Sequence, residues 1–185
     1  TFLTAIVEVD GRPEVWLVDR TAGKNTKLHE GEELSVGKLK GTVKTIGRLD
    51  DASPQGEAGL LGVAVSPDFE QDQSVFFYLS TATDNRIVRL RYQNGVLDTA
   101  SLEVLLKGIG RNKYHNGGRL RFGPDRKLYA TTGDAQNGNY AQDTKNLAGK
   151  VLRLNPNGTP PADNPFGNYV WSYGHRNPQG LAFDA

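Results

Sequence analysis

Apolar and polar residues alternate along short stretches of this chain, and Gly, Pro, Asn and Asp fill the positions between those stretches. Alternation with a period of two is the pattern of a half-buried β-strand, and the four intervening residue types favour turns. Loops are predicted at 21–40 (with one irregular strand), 135–146 and 156–167. We therefore predict an all-β protein with almost no helix. The predicted strands cover residues 5–9, 14–19, 43–46, 63–65, 75–80, 86–92, 102–106, 119–122, 128–132, 149–155 and 170–173.

One strand–turn unit recurs along the chain. Its versions lie at Val9, Pro67, Pro124 and Ala185. These positions are 58, 57 and 61 residues apart, and a repeat of this length with about four strands is typical of a β-propeller blade. Propellers close with about four to eight blades, so we expect either a longer protein or a homodimer. The approximate bounds of the three predicted four-stranded blades, all in one propeller domain, are 1–58, 59–116 and 117–185.

Composition narrows the classes of function. The chain has 22 Lys and Arg against 21 Asp and Glu, so it lacks the basic excess of a nucleic-acid-binding protein. No apolar run is long enough to span a bilayer. The chain contains no Cys, which fits a periplasmic or secreted protein and also fits chance. It begins at Thr1 without an initiator Met, as expected of a processed or cut chain.

A hairpin in the middle of the chain places two candidate catalytic residues close together. His115 precedes its first strand and Asp134 follows its second, so we expect the two side chains to be neighbours. A carboxylate beside one imidazole nitrogen fixes the tautomer and makes the other nitrogen a better base. The alternative interpretation is that His115 is a polar residue at the rim of the sheet and that Gly133-Asp134 is an ordinary turn.

Five motifs stand out between Gly56 and the C-terminus. They are Gly-Glu-Ala-Gly-Leu-Leu-Gly at 56–62, His-Asn-Gly-Gly-Arg-Leu at 115–120, Phe-Gly-Pro-Asp at 122–125, Leu-Ala-Gly-Lys-Val-Leu-Arg at 147–153 and Tyr-Gly-His-Arg-Asn-Pro-Gln-Gly-Leu at 173–181. Together they resemble the glucose/sorbosone dehydrogenase family, which contains soluble aldose sugar dehydrogenases that depend on pyrroloquinoline quinone (PQQ). The resemblance implies a six-bladed propeller that binds this cofactor on its top face.

The resemblance also implies a mechanism. His115 matches the general base that takes the proton from the anomeric hydroxyl while a hydride passes from C1 of the sugar to the quinone, and Asp134 matches the residue that orients this base. Arg176 and Asn177 match residues that contact the quinone and the reacting oxygen. In the family a calcium ion holds and polarises PQQ; its main-chain ligands are expected beyond Ala185, and the metal ligands in this chain are unknown.

The resemblance specifies the substrate less narrowly than it specifies the cofactor and the mechanism. Glu57 and Tyr114 stand where glucose-oxidising members carry a Gln and an Asp that touch the sugar, which favours an aldose dehydrogenase with broader sugar use. The physiological sugar and the electron acceptor are left open. Two other functions compete with sugar oxidation: a non-catalytic ligand-binding propeller of the same family, and a calcium-dependent hydrolase of the lactonase type.

Overall fold

The computed structural model describes residues 2–9, 12–19, 33–36, 39–42 and 46–184. Strands dominate these residues, and the two helices are only four and five residues long, as the all-β prediction requires. The elements are β1 (Phe2–Val9), β2 (Arg12–Asp19), β3 (Glu33–Val36), β4 (Leu39–Thr42), β5 (Leu60–Val65), α1 (Phe69–Asp72), β6 (Ser74–Ser80), β7 (Asn85–Gln93), β8 (Val96–Ile109), β9 (Leu120–Phe122), β10 (Leu128–Thr131), α2 (Gly138–Gln142), β11 (Lys150–Leu154) and β12 (Val170–Tyr173).

Eight of these strands form two four-stranded antiparallel sheets. In each sheet every strand pairs with the next one along the chain, in the orders β5-β6-β7-β8 and β9-β10-β11-β12. Two consecutive meanders of four strands that pack against each other are neighbouring propeller blades. We call them the first blade (60–109) and the second blade (120–173). The predicted propeller class is therefore confirmed, whereas β1 with β2 and β3 with β4 form two separate two-stranded sheets.

An apolar core joins the two blades. The central strand β6 is buried on both faces, which explains its uninterrupted apolar run from Val75 to Leu79. Phe76 of this strand meets Phe122 of the second blade edge to face, with ring centroids 5.1 Å apart. The buried residues of this inter-blade core are Ala64, Phe76, Tyr78, Ile87, Leu106, Ile109, Leu120, Leu128, Ala130, Leu152, Leu154 and Val170.

Hydrogen bonds between successive repeats of the chain join residues that are about one repeat length apart. The N–H of Gly117 donates to Asn177 Oδ1 at 2.9 Å, and Arg119 Nε donates to the carbonyl of Gln179 at 3.1 Å; each pair is 60 residues apart. Matching positions of neighbouring repeats thus lie side by side. Residues just before β9 consequently meet their counterparts in the segment that follows β12.

Several local predictions differ from the structure. The region 21–40, predicted as a loop with one irregular strand, contains β3 and the first residues of β4, which pair antiparallel. The strand predicted at 102–106 is the much longer β8, because its exposed outer position lets polar residues occupy its first half and hides the alternation. The loop predicted at 135–146 contains the one-turn helix α2, too short to show helical periodicity, with Asn137 as its N-cap. Of the strand predicted at 43–46, residues 43–45 lie outside the described residues, and Ile46 is in no strand.

A close approach between the first blade and the loop that precedes the second blade yields a prediction about stability. A Cβ at Gly62 would overlap the carbonyl oxygen of Gly118, so Gly62→Ala should lower the free energy of unfolding by about 1–3 kcal/mol, the usual cost of overpacking. Gly138→Ala is the matched control, because a Cβ there meets nothing within 4 Å. Urea denaturation should therefore separate the two variants, and equal midpoints would contradict this account of the blade interface.

Candidate active site

His115 and Asp134 are in contact, as the hairpin predicts. His115 Nδ1 lies 2.9 Å from Asp134 Oδ1, and both side chains are largely buried, with exposed fractions of 16% and 8%. The same carboxylate oxygen accepts the backbone N–H of Gln136 at 2.8 Å. An ionised carboxylate only accepts hydrogen bonds, so the imidazole proton belongs on Nδ1. This leaves the lone pair of Nε2 free to take a proton from a ligand.

The backbone around this pair is strained. His115 has φ 61°, in the left-handed region that a side chain with a Cβ rarely adopts, and Ala135 and Gln136 in the facing loop have φ 52° and 64°. Each such residue costs on the order of 1–3 kcal/mol unless its surroundings hold it in place. The two segments also approach too closely for a side chain, because a Cβ at Gly133 would overlap the carbonyl of His115. Strain of this kind is concentrated at functional sites.

Glu57 and Asn177 join the His115 segment from the two neighbouring repeats. Glu57 Oε2 accepts the backbone N–H of His115 at 2.9 Å and Asn177 Nδ2 at 3.3 Å. Asn177 Oδ1 in turn accepts the N–H of Gly117. The structure therefore brings Glu57, His115 and Asn177 together, and it gives Glu57 a task that the sequence did not indicate, which is to fix the main chain of His115.

Arg176 and Tyr114 border the same site. The carbonyl of Arg176 accepts the N–H of Asp134 at 2.8 Å, while its guanidinium is exposed and makes no hydrogen bond or ion pair within the described part of the chain. Tyr114 is 41% exposed, and Lys113 Nζ lies 5.4 Å from its ring centroid. Both side chains are accessible to a ligand, and the roles predicted for them stay predictions.

Lys150 is a buried cation that the sequence analysis missed. Its ammonium donates to the carbonyls of Tyr140, Ala141 and Ala148 at 2.7, 3.1 and 2.6 Å. Burial lowers the pKa of Lys150, and the charge of Asp143 partly opposes that shift. The signal was available in the alternation of β11, where Lys150 shares the buried register of Leu152. Lys150 thereby anchors α2 beneath the loop that carries Asp134.

Two further polar residues, His175 and Asp163, have structural contacts. His175 Nε2 lies 2.8 Å from Ser172 Oγ, and burial together with the charge of Lys150 lowers the pKa of His175. Asp163 forms an ion pair with the buried Arg153.

Among the residues that the structure describes, no three His, Asp or Glu side chains cluster as a metal site, and no helix has the length and apolar composition needed to cross a membrane.

Comparison with known proteins gives consistent matches. Residues 26–185 match the family model described as glucose/sorbosone dehydrogenase. The chain is 34% identical to quinoprotein glucose dehydrogenase B of Acinetobacter calcoaceticus, over 92% of this chain and 41% of that protein. It is 32% identical to the aldose sugar dehydrogenase YliI of Escherichia coli, over 78% of this chain and 43% of that protein. The chain thus spans less than half the length of these relatives.

A solved structure agrees with these matches. The PQQ-bound aldose sugar dehydrogenase of Streptomyces coelicolor aligns with a TM-score of 0.69 and 44% identity, over 75% of this chain and 42% of that one. An identity of 44% means that the two proteins are similar in sequence as well as in fold.

The Glu57 contact can be tested without assuming any activity. Glu57→Ala should speed amide hydrogen exchange at His115 by roughly threefold to tenfold, because one hydrogen bond of about 0.7–1.4 kcal/mol is lost. Glu57→Gln should exchange like the wild type, since an amide oxygen can accept the same two donors. Glu103→Ala serves as the control, because this carboxylate pairs with Arg89 on the first blade. Unchanged exchange in Glu57→Ala would refute the contact.

Proposed function

We propose that this chain, which belongs to the glucose/sorbosone dehydrogenase family, forms part of an enzyme that oxidises aldose sugars at the C1 hydroxyl to the lactone with PQQ as cofactor. The observation that carries the proposal is the buried contact between His115 and Asp134, which leaves Nε2 as the available base. The names of the relatives support the general activity, since they are quinoprotein glucose and aldose sugar dehydrogenases.

The residues present fit a cofactor of this type. PQQ, when bound, supplies an electron-accepting carbonyl and carries carboxylates. The exposed guanidinium of Arg176 makes no hydrogen bond or ion pair within the described residues, and its planar donors suit a carbonyl or a carboxylate. Asn177 uses its oxygen for Gly117 and one amide contact for Glu57, so one N–H can still reach a ligand. Arg176 and Asn177 are accordingly the residues that we assign to the cofactor.

The remaining steps belong to the side chains of this chain. His115 Nε2 accepts the proton of the C1 hydroxyl, and Asp134 stabilises the imidazolium that forms because it faces Nδ1. Arg176 places a permanent positive charge where an oxygen in the site becomes negative. The largely buried position of His115 and Asp134 limits water and strengthens these interactions.

We extend the proposal to the substrate through Glu57 and Tyr114. Glu57 binds His115 and Asn177 through Oε2, so its Oε1 can accept a sugar hydroxyl. The exposed ring of Tyr114 offers a flat apolar face instead of a charged group. A surface of this kind tolerates several aldoses, which supports the aldose sugar dehydrogenase branch. No contact among the residues that the structure describes favours a non-catalytic binding role or a lactonase.

Three further assignments are proposals that derive from the resemblance or from composition. Calcium is proposed as the ion that holds the cofactor, and no described residue is assigned to it. A periplasmic or secreted location is proposed because the chain has no Cys. A homodimer stays a prediction, which the mass of the particle in solution would test.

Replacing the base should nearly abolish turnover. In the complete PQQ-loaded protein, His115→Ala is expected to lower kcat by roughly 10²–10⁴-fold, the usual effect of losing a general base. His175→Gln is the matched control, because His175 contacts Ser172 and should cause a much smaller loss. Dye reduction with an aldose measures both variants, and a His115→Ala enzyme with wild-type kcat would rule out the proposed base.

A further inference from the structure

Asn116, the residue after the proposed base, lies in a buried network of amide groups. Its side chain is almost fully buried, with 1% exposure, and its Oδ1 accepts Asn85 Nδ2 at 3.2 Å and the N–H of Asn112 at 3.1 Å. Its Nδ2 donates to the carbonyl of Asn112 at 2.8 Å. Asn85 is fully buried, donates to the carbonyl of Gly110 and accepts the hydroxyl of Ser80. These contacts satisfy both polar atoms of the Asn116 side chain.

The main chain of Asn116 is fixed from the other blade. Tyr78 is fully buried on the central strand β6, and its hydroxyl donates to the carbonyl of Asn116 at 2.9 Å. Burial, together with the charge of Asp84, raises the pKa of Tyr78 above its ordinary value, so the hydroxyl is a neutral donor throughout the physiological range. The core of the first blade therefore holds the carbonyl of Asn116, the residue that follows His115.

We infer that Tyr78 and Asn116 are positioning residues that hold His115 in its left-handed conformation and thereby aim its imidazole at Asp134. The inference rests on the proposed function only in naming His115 as the base. A residue with φ near 61° returns to an ordinary conformation unless neighbouring groups prevent it. The contacts of Asn116 hold the segment on its C-terminal side, just as Glu57 holds the N–H of His115.

The position of these contacts distinguishes positioning from general stabilisation. The Tyr78 hydroxyl bonds no group of its own sheet; its acceptor lies in the loop between Ile109 and Leu120, outside the strands. Asn112 extends the network to the facing loop, because its Nδ2 donates to the carbonyl of Ala135 at 2.9 Å. The N–H of Ala135 in turn donates to the carbonyl of His115. The network thus connects both sides of the His115 and Asp134 contact.

Tyr78→Phe removes one hydroxyl and leaves the ring in the core, so it is the variant of choice. The readout is the pair of ring nitrogen resonances of His115 in the ¹⁵N-labelled chain, assigned by comparison with His115→Gln. In the wild type these resonances should report a proton on Nδ1. In Tyr78→Phe we expect them to move toward each other as the two tautomers mix. In the PQQ-loaded complete protein, kcat should fall on the order of threefold to tenfold with KM nearly unchanged.

Tyr129→Phe is the matched control. Tyr129 is buried on β10 of the second blade, and its hydroxyl donates to Asp125 Oδ2 in the β9–β10 turn at 3.0 Å, away from His115. Both variants should unfold at similar temperatures, and only Tyr78→Phe should change the His115 ring signals. Unchanged signals in folded Tyr78→Phe, or equal changes in both variants, would overturn the inference.

If Tyr78→Phe does not fold, Asn116→Ala decides the question. This substitution removes the side-chain contacts to Asn85 and Asn112 and keeps the carbonyl that accepts the Tyr78 hydroxyl, so the variant should keep the fold and still mix the tautomers of His115. Unchanged ring signals in this variant would overturn the inference as well. Altered ring signals together with a wild-type enzyme that fails to oxidise sugars would refute the proposed function and leave the positioning role intact.

Discussion

The left-handed backbone of His115 is the constraint on which the site depends. This conformation is unfavourable for a residue with a Cβ, and three groups hold it: the Glu57 carboxylate at the N–H, the N–H of Ala135 at the carbonyl, and the Asn116 network beyond it. Each hydrogen bond contributes about 0.5–1.5 kcal/mol, so together they can offset the local strain. The imidazole is consequently aimed by its main chain as well as by Asp134.

The glycines of the His-Asn-Gly-Gly-Arg motif follow from the same constraint. Gly117 has φ 67°, and a Cβ there would lie 2.7 Å from the carbonyl oxygen of Thr131. Gly118 has φ 106° and packs against Leu61 of the first blade, so a side chain would be strained in both position and conformation. The two glycines of the motif are therefore explained by how closely two backbone segments approach beside His115.

The features that could be predicted are those determined by residues close together in the sequence. The alternation of residues gave most strands, and the hairpin between β9 and β10 predicted that His115 meets Asp134. The contact from Tyr78 could not be predicted in this way, because 38 residues separate it from Asn116 and its position depends on how the blades pack. The hydrogen bond between Glu57 and the N–H of His115 is an intermediate case. The two residues are 58 residues apart, which is one period of the sequence repeat.

The repeat also explains how the site is assembled. Glu57 and His115 are 58 residues apart, and Glu57 and Asn177 are 120 residues apart, about one and two repeats. Each repeat thus supplies one polar residue at the same place, and the packing of the blades brings the three together. Because each residue lies in a loop on a rigid sheet, a change of side chain alters the chemistry without disturbing the core. Glu57 is the exception, since the carboxylate that we propose to bind sugar also accepts the N–H of His115, the proposed base. On this proposal, substrate preference and the geometry of His115 are coupled at Glu57.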